Sequence, residues 1–514
     1  RSRQVRRPPH LLVTTPETFQ LMFTGHRLRA MLSSVQAVII DEVHDLAASE
    51  RGWQLRLGLQ RLEALCGRTL QKVGLSATVG NPDHVASWIS NDSCQPILAP
   101  AERTTVLTVE TAPQLTEDEV GAMEMRLSPR AHATFRLLSE IVEKDPPCLV
   151  FVNSRNAAET VAQRLQTMAP QLTIGVHHGS LAAETRQEME QNIRNGTLQA
   201  LICTSSLELG IDVGSIRKIV QLESPRSVDR MLQRVGRADH RIGGIGRGHL
   251  LAWETDGIAE SAVVAHRSHL GAIEDVEWRH RPYSIAANQI MLMAHSFKVV
   301  RIDDVHEIFS QTDQFADWTR KDTENILAVL SDRWLLKYSL QPSETPWYRW
   351  PKHLYLAAKE ALPNGESWPD ELPRYDVSDD EIPAEYKGMR MPVPKEFKDG
   401  WFASAGRTRR WVEHHLSMIP DKQSYRVRDV VTRRTIGNVD EAFVLEQNGS
   451  GEEEDGRIRQ FVMAGRTWTI VDADPEQSEV LVAPVSVQGD APTWVGELPP
   501  VPAIVARNIG RLRR

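Results

Sequence analysis

The stretch Val35-Gln36-Ala37-Val38-Ile39-Ile40-Asp41-Glu42-Val43-His44 decides how this chain is read. A short apolar, β-branched run that stops abruptly at two carboxylates predicts a buried strand whose carboxyl end carries acids. In open α/β sheets that edge is where ligands bind. One carboxylate there can hold a hydrated Mg²⁺ while its neighbour orients water against a γ-phosphate. Working outward, Leu11-Leu12-Val13 and Lys72 to Leu75 read as companion strands, each ending in a polar motif. A second series of strands is predicted at Cys148–Val152, Leu172–Val176, Gln199–Cys203, Lys218–Leu222 and His249–Trp253. Helical periodicity fills Ala157–Met168 and Glu184–Arg194 between them. The β-α alternation predicts an α/β fold with two stacked parallel-sheet domains.

Composition narrows the function classes. The chain has 514 residues, 41% of them hydrophobic, and a formal net charge of −8. It has no apolar run of membrane-spanning length and no secretory leader pattern, which fits a cytoplasmic protein. Cys66, Cys94, Cys148 and Cys203 are scattered without metal-ligand spacing and read as reduced thiols. An acidic body argues against bulk coating of nucleic acid, but basic tracks break it. Residues 226–247 hold six arginines against two acids, and 407–434 hold eight basic residues against three acids. Such tracks suit a protein that grips a phosphate backbone and releases it.

Further along, a helical region with a capping box at Thr319 and Asp322 runs into Trp334–Tyr338, which reads as a winged helix or as a helical linker bundle. Residues 341–400 have little periodicity. From Tyr425, strands are predicted at Arg426–Val431, Ala442–Leu445, Gln460–Met463, Thr467–Val471 and Glu479–Val482, as in a β-barrel-like domain. The expected domains are 1–100, 101–275, 276–340 and 341–514.

The polar motifs assign roles. Asp41 is the expected Mg²⁺ ligand, and Glu42 polarises the attacking water. His44 is a candidate to couple nucleotide to the second lobe, or a structural histidine. Ser76-Ala77-Thr78 can relay the nucleotide state or cap the helix beginning near Pro82. In Gln233-Arg234-Val235-Gly236-Arg237, Arg237 is the arginine-finger candidate on a helix capped by Ser227. Arg234 is expected to brace the first lobe's carboxylates, and Gln233 to touch phosphate or a relay group. Thr14, Thr15, Asn153, Arg155, His178, Ser180, Thr204 and Ser205 follow predicted strands, where they suit phosphate oxygens or form turns. The phosphate-cradling GxxxxGK[ST] loop is absent, and Gly-Lys occurs nowhere. The chain is therefore expected to be a fragment that begins inside its first motor domain and hydrolyses ATP poorly by itself.

Taken in order, DEVH, Ser76-Ala77-Thr78, Thr204 to Asp212 and Gln233 to Arg237 resemble the motifs of superfamily 2 helicases. More narrowly, the chain resembles the Lhr (large helicase-related) family across nearly its whole length. The matching stretches include Pro8 to Glu17, Gly74 to Pro82, His177 to Leu181, Thr204 to Gly214, Gln233 to His240, Ile436 to Val444 and Ala491 to Glu497. The last two favour Lhr over Ski2-like RNA helicases. The resemblance implies two RecA-like motor domains, the first incomplete, then a winged helix and a β-rich C-terminal domain. It implies ATP and Mg²⁺ as cofactors and 3′→5′ translocation on single-stranded DNA. It also implies unwinding of DNA duplexes or RNA:DNA hybrids, in DNA repair. It adds Pro16 and Glu17 to the nucleic-acid contacts, and Gly210, Asp212 and His240 to the nucleotide contacts. A tryptophan beyond the motors, among Trp334, Trp347, Trp350 and Trp401, is implied to stack on the strand. Asp239 stands where the family usually has glycine. The competing class is a non-catalytic nucleic-acid-binding protein derived from such a motor; the retention of Asp41, Glu42 and Arg237 speaks against it.

Overall fold

The computed structural model describes residues 6–90, 93–98, 104–208, 216–238, 245–338, 347, 355, 358–359, 387, 393, 400–416, 424–441, 443–444, 460–474, 477–485 and 500–513. Strands β1 (Ala37–Ile40) and β2 (Gln71–Gly74) pair in parallel. The next six strands are β3 (Thr104–Glu110), β4 (Cys148–Phe151), β5 (Ile174–His177), β6 (Ala200–Cys203), β7 (Lys218–Leu222) and β8 (Ile245–Leu251). They form one all-parallel sheet in the order β3-β8-β7-β4-β6-β5. Strands β9 (Val299–Arg301), β10 (Leu336–Lys337) and β11 (Trp401–Ser404) make a small antiparallel sheet with β11 in the middle. Strands β12 (Ser424–Asp429), β13 (Thr435–Asp440), β14 (Gln460–Met463), β15 (Arg466–Asp474) and β16 (Glu479–Pro484) form a five-stranded sheet, order β13-β12-β16-β15-β14.

The chain divides into two compact units, one drawn from residues 1–77, 81–97 and 276–420, the other from 78–80, 98–275 and 421–514. In the first unit the organising element is the helix Glu50–Cys66, started by the Ser49 hydroxyl, which accepts from Gly52 N–H at 3.2 Å. It buries Trp53, Leu55, Leu57, Leu59 and Leu62. Each such side chain contributes about 1.5–3 kcal/mol on burial. The helix also carries buried polar groups, and these find partners on the helix Tyr283–Phe297. Gln54 donates to Asn288 Oδ1 at 2.9 Å, and Arg61 donates to Gln289 Oε1 at 2.9 Å. Burial pushes the Arg61 guanidinium down to about 9, and it lies 4.4 Å from the centre of the Phe23 ring.

The winged-helix reading holds in outline. Helices Tyr283–Phe297, Ile302–Ser310 and Arg320–Asp332 precede the small sheet, and Thr319 and Asp322 form the expected capping box. The expected boundary at residue 340, however, cuts through that sheet, because β11 comes from residues 401–404. A four-residue strand after a long aperiodic stretch leaves no alternation for a sequence reading to detect.

In the second unit, β4, β5 and β6 are buried at every residue, and β7 at all but its first. That explains their unbroken apolar sequences, since a parallel sheet is covered on both faces. One face packs on the helix Arg155–Met168 and shares a single core with the five-stranded sheet, through Tyr425, Val427, Ile436, Phe461, Met463, Trp468 and Val482. The other face buries Val228, Met231 and Val264 together with Val505 and Ile509 of the helix Ala503–Leu512. The sheet expected as a separate β-rich domain is thus built onto the second motor core. Its β12–β16 pairing is parallel, so it is not a simple antiparallel meander.

Three strand expectations change. Leu11–Val13 is not a strand, and Leu11 and Val13 are exposed. Glu441, Phe443 and Val444 are helical, the strand lying earlier at β13. β3, unforeseen because Thr104–Glu110 mixes polar and apolar residues, pairs along its full length with β8. Among the described residues, no helix is long and apolar enough to cross a membrane.

The second unit contains an acid-sensitive lock. Asp118 accepts from Arg136 at 3.2 Å, from Leu115 N–H at 2.8 Å, and pairs with His132 at 2.8 Å. Burial alone would raise its pKa, but the Arg136, Leu115 and His132 hydrogen bonds outweigh it and hold the carboxyl at about 2. An unfolded aspartate titrates near ~3.9. The stabilisation is therefore fully present above pH ~4 and lost as pH falls toward 2. Asp118→Asn should lower stability at neutral pH and flatten the pH dependence of the urea midpoint between pH 4 and 2.

Candidate functional site

The first unit presents its acids at the carboxyl edge of β1. The ladder continues past the strand, with Leu75 N–H donating to Ile40 O at 2.8 Å and Val43 N–H to Leu75 O at 3.0 Å. Between these bonds Glu42 adopts the left-handed conformation, φ 48° and ψ 47°, at the start of the helix Val43–Ala47. Such a backbone costs a non-glycine residue about 1–2 kcal/mol. It turns the chain so that Asp41 is exposed and Glu42 half-exposed at the sheet edge. Glu42 N–H donates to Asp41 Oδ1 at 3.1 Å, which fixes that carboxylate. His44 is buried, its Nδ1 sits 2.7 Å from Ser76 Oγ and 3.8 Å from Glu42 Oε2. DEVH and Ser76-Ala77-Thr78 are thereby joined by one hydrogen bond, with Ser76 and Ala77 exposed and Thr78 half-buried.

This edge fits a hydrated Mg²⁺. An exposed carboxylate with one oxygen already oriented is the kind of ligand the ion accepts while keeping most of its waters. No cluster of three or more metal-ligating side chains occurs among the described residues.

Thr15 caps the helix Pro16–Thr24, accepting from Thr18 N–H at 3.3 Å, and Pro16 takes the first helical position. Thr14 is exposed beside it. Glu17 is bound bidentately by Arg51, at 2.6 and 3.2 Å, so its carboxylate serves the fold.

The second unit gathers its polar residues at the carboxyl edge of the six-stranded sheet, and Arg234 lies at their centre. This side chain is 2% exposed. It donates to Glu208 Oε1 from Nε at 2.7 Å and from a terminal nitrogen at 2.5 Å, and it also meets Gln221 and Asn153. The expectation that Arg234 braces the first lobe's carboxylates is corrected: its donors are taken within its own unit. Asn153 likewise serves the fold, donating to Ser224 O at 2.8 Å. His178 is fully buried against Glu159, at 2.9 Å, so its ring is withheld from a nucleic acid. Ser180 is buried and accepts from Arg155 at 2.7 Å. Thr204 is buried, while Ser205 is exposed at the start of a short 3₁₀ turn.

Gln233 is buried and Arg237 half-buried just beyond the helix Val228–Val235. Ser227 occupies the cap position without a side-chain bond. The cap comes from Glu274, whose carboxylate accepts from Val228 N–H at 2.9 Å and Asp229 N–H at 3.3 Å. Gly236 has ordinary right-handed angles, so the turn toward Arg237 needs no left-handed residue. Gly210, Asp212 and His240 lie outside the described residues, as does Trp350. Of the other tryptophans, Trp347 is buried against Tyr355, Trp401 lies in β11, and Trp334 is 44% exposed.

No sequence motif assigns a role to Glu159, Glu208, Gln221 or Glu274. Glu159 and Gln221 do carry a signal, since each interrupts an apolar pattern on a buried face. Glu274 carries none, lying 46 residues from the amide it caps.

Comparisons with known proteins agree with this geometry. The DEAD/DEAH box helicase family matches residues 1–85, and the helicase conserved C-terminal domain matches residues 133–243. The ATP-dependent helicase Lhr-Core protein 2 of Thermococcus barophilus is 27% identical over all of this chain and 53% of its own length. The Lhr helicase/uracil glycosylase of Escherichia coli is 31% identical over 65% of this chain and 24% of its own. The structure of Mycobacterium smegmatis helicase Lhr bound to ssDNA and AMP-PNP superposes with a TM-score of 0.61 at 27% identity, covering 89% of this chain and 53% of that one. The chain spans about half the length of the Lhr-Core relative, and a quarter of the E. coli protein.

Replacing Arg234 by alanine leaves Glu208 buried opposite no cation, a change that costs about 3–5 kcal/mol. Arg234→Lys keeps the charge but not the fork that reaches Glu208 and Gln221 together. Urea denaturation should rank wild type above Arg234→Lys above Arg234→Ala.

Proposed function

We propose that this chain, a homologue of the Lhr-type helicases along its whole length, is the motor region of an ATP-driven translocase on single-stranded DNA. It moves 3′→5′ and separates DNA duplexes or RNA:DNA hybrids, in DNA repair. The observation that carries the reading is the joined pair of motifs in the first unit. Glu42 is held in a left-handed turn beside Asp41, and His44 behind it is bonded to Ser76. A structural strand end has no use for a strained carboxylate that faces solvent, whereas hydrolysis of a γ-phosphate needs one.

Asp41 would hold Mg²⁺ through its hydration shell, and the bound ion would supply neutralising charge to the phosphate oxygens. Glu42 orients the attacking water and draws off its proton as the oxygen closes on the γ-phosphorus. His44 holds Ser76 by a hydrogen bond, so a shift of Glu42 on nucleotide binding is felt one strand away. Arg237 supplies the guanidinium that meets charge on the transferring phosphoryl. Its bearing is set by the helix that Glu274 caps and by Arg234 one turn earlier. The nucleic-acid strand is met by Thr14, Arg155, Ser205 and the backbone around Gly179, groups that bind phosphates without reading bases. Trp334, the most exposed of the described candidates, is assigned to base stacking.

The relatives' names support ATP as the nucleotide, and the Mycobacterium smegmatis structure, bound to ssDNA and AMP-PNP, supports a single strand as the track. The decisive experiment measures Mg²⁺-dependent ATP hydrolysis by the full-length protein with and without single-stranded DNA, beside Glu42→Gln. The expected result is strong stimulation by DNA and a loss of about 100-fold or more in the variant, as for removal of a general base. Retained DNA binding by the variant completes it. Absence of any DNA-stimulated hydrolysis in the wild type would sink the reading.

A further inference from the structure

The loop after β5 is held by more bonds than a turn requires, and the bonds come from two directions. From the helix Arg155–Met168, Glu159 sends a fully buried carboxylate to His178 Nε2 at 2.9 Å. His178 Nδ1 accepts from Ser180 N–H at 3.3 Å, so the ring proton resides on Nε2 and is donated to Glu159. The same carboxylate accepts from Ala464 N–H at 2.7 Å and Gly465 N–H at 2.9 Å. These two residues form the hairpin turn between β14 and β15, both with positive φ, 56° and 70°. From β13, Asn438 N–H donates to Ser180 O at 2.7 Å, and Ile436 O accepts from Ala182 N–H at 2.8 Å. Gly437 lies between them, where a Cβ would come within 2.4 Å of Ser180 O. Arg155 closes the set from the side, donating to Ser180 Oγ at 2.7 Å.

Amid these fixed points one residue is left outward. Gly179 is exposed, has no left-handed φ, and has open space where a Cβ would stand. Neither backbone strain nor packing among the described residues calls for glycine there. Close approach by another backbone does. We infer that Glu159 and the strand segment Ile436–Asn438 are positioning residues that present the tip at Gly179 to the phosphate backbone of a nucleic-acid strand. The inference rests on the reading of this loop as a strand contact given above. It assigns the C-terminal five-stranded sheet a part in the motor's grip on its track, as the rigid template for a loop it does not itself contain.

The test measures the affinity of the full-length protein for a fluorescein-labelled oligo(dT) by anisotropy across a salt series. The variants are Gly179→Val, Glu159→Gln, Gly437→Ala and the Gly179/Glu159 double substitution, with melting temperatures taken for each. Glutamine at 159 keeps the shape but turns an amide donor toward groups that are themselves donors. Gly179→Val and Glu159→Gln should each weaken binding about tenfold and make the salt dependence shallower by about one phosphate contact. The double variant should bind no worse than the weaker single, because both remove the same contact. Gly437→Ala disturbs the loop from the sheet side, so whichever of the two positioning variants keeps the wild-type melting temperature is the one read. Weakening by Gly179→Val alone, with wild-type affinity in that positioning variant, overturns the positioning role and leaves the loop contact standing. Wild-type affinity in Gly179→Val overturns the contact and the inference with it.

Discussion

The buried guanidinium of Arg234 is the constraint on which the second unit depends. A parallel sheet covered on both faces ends in a row of polar groups that have lost water on three sides. Arg234 meets Asn153 after β4, Glu208 after β6 and Gln221 within β7, so one planar fork fixes three neighbouring strand ends. Its ring neighbour Phe151, 5.2 Å from the guanidinium carbon, closes the site below. A lysine offers a point charge with no such fork. Because Arg237 follows three residues later, just beyond the end of the same helix, the placement of the finger candidate is inherited from this buried cluster.

Glu159 plays a comparable part beside β5, the edge strand of the sheet, with a different consequence. Among the described residues its carboxylate is met by one histidine and two backbone amides. Charge-assisted bonds to amides are strong in a dry interior. They tie a hairpin more than 300 residues away to the second motor core. Beneath it the two sheets share apolar side chains in one cluster, Val176 and Val220 with Met463 and Trp468. A sheet that shares its core with its neighbour moves with it, since packed interiors do not deform continuously.

In the first unit the exposed acids and the residues that hold the fold stand next to one another in the chain. Glu42 takes a strained turn, and the β-ladder bonds on either side of it, Leu75 to Ile40 and Val43 to Leu75, hold that turn. His44 reads equally as structural or coupling from sequence; in the fold it is buried and bonded to Ser76. The helix Glu50–Cys66 behind this edge is anchored on the winged-helix residues Asn288 and Gln289 through Gln54 and Arg61, so the strand carrying the acids stands before a scaffold of buried polar contacts.

What the sequence by itself determined is what repeats locally. The apolar runs of β4 to β7, the acids after β1, the order of motifs and the capping box at Thr319 follow from periodicity and from side-chain bonds spanning a few residues. The tertiary structure alone decided which polar residues stay exposed and which face one another. His178 and Asn153 read in sequence as phosphate contacts or turn formers, and Arg234 as a brace for the first lobe's acids, yet their partners Glu159, Ser224 and Glu208 lie 19, 71 and 26 residues away and take up their donors. Only the fold brought β11 into the winged-helix sheet, Glu274 to the finger helix, and β13 to the loop at Ser180. The physical reason is the same in each case. A hydrogen bond is satisfied by whatever donor or acceptor lies within 3 Å, and in a chain this long that neighbour is set by packing, which leaves no mark on local sequence.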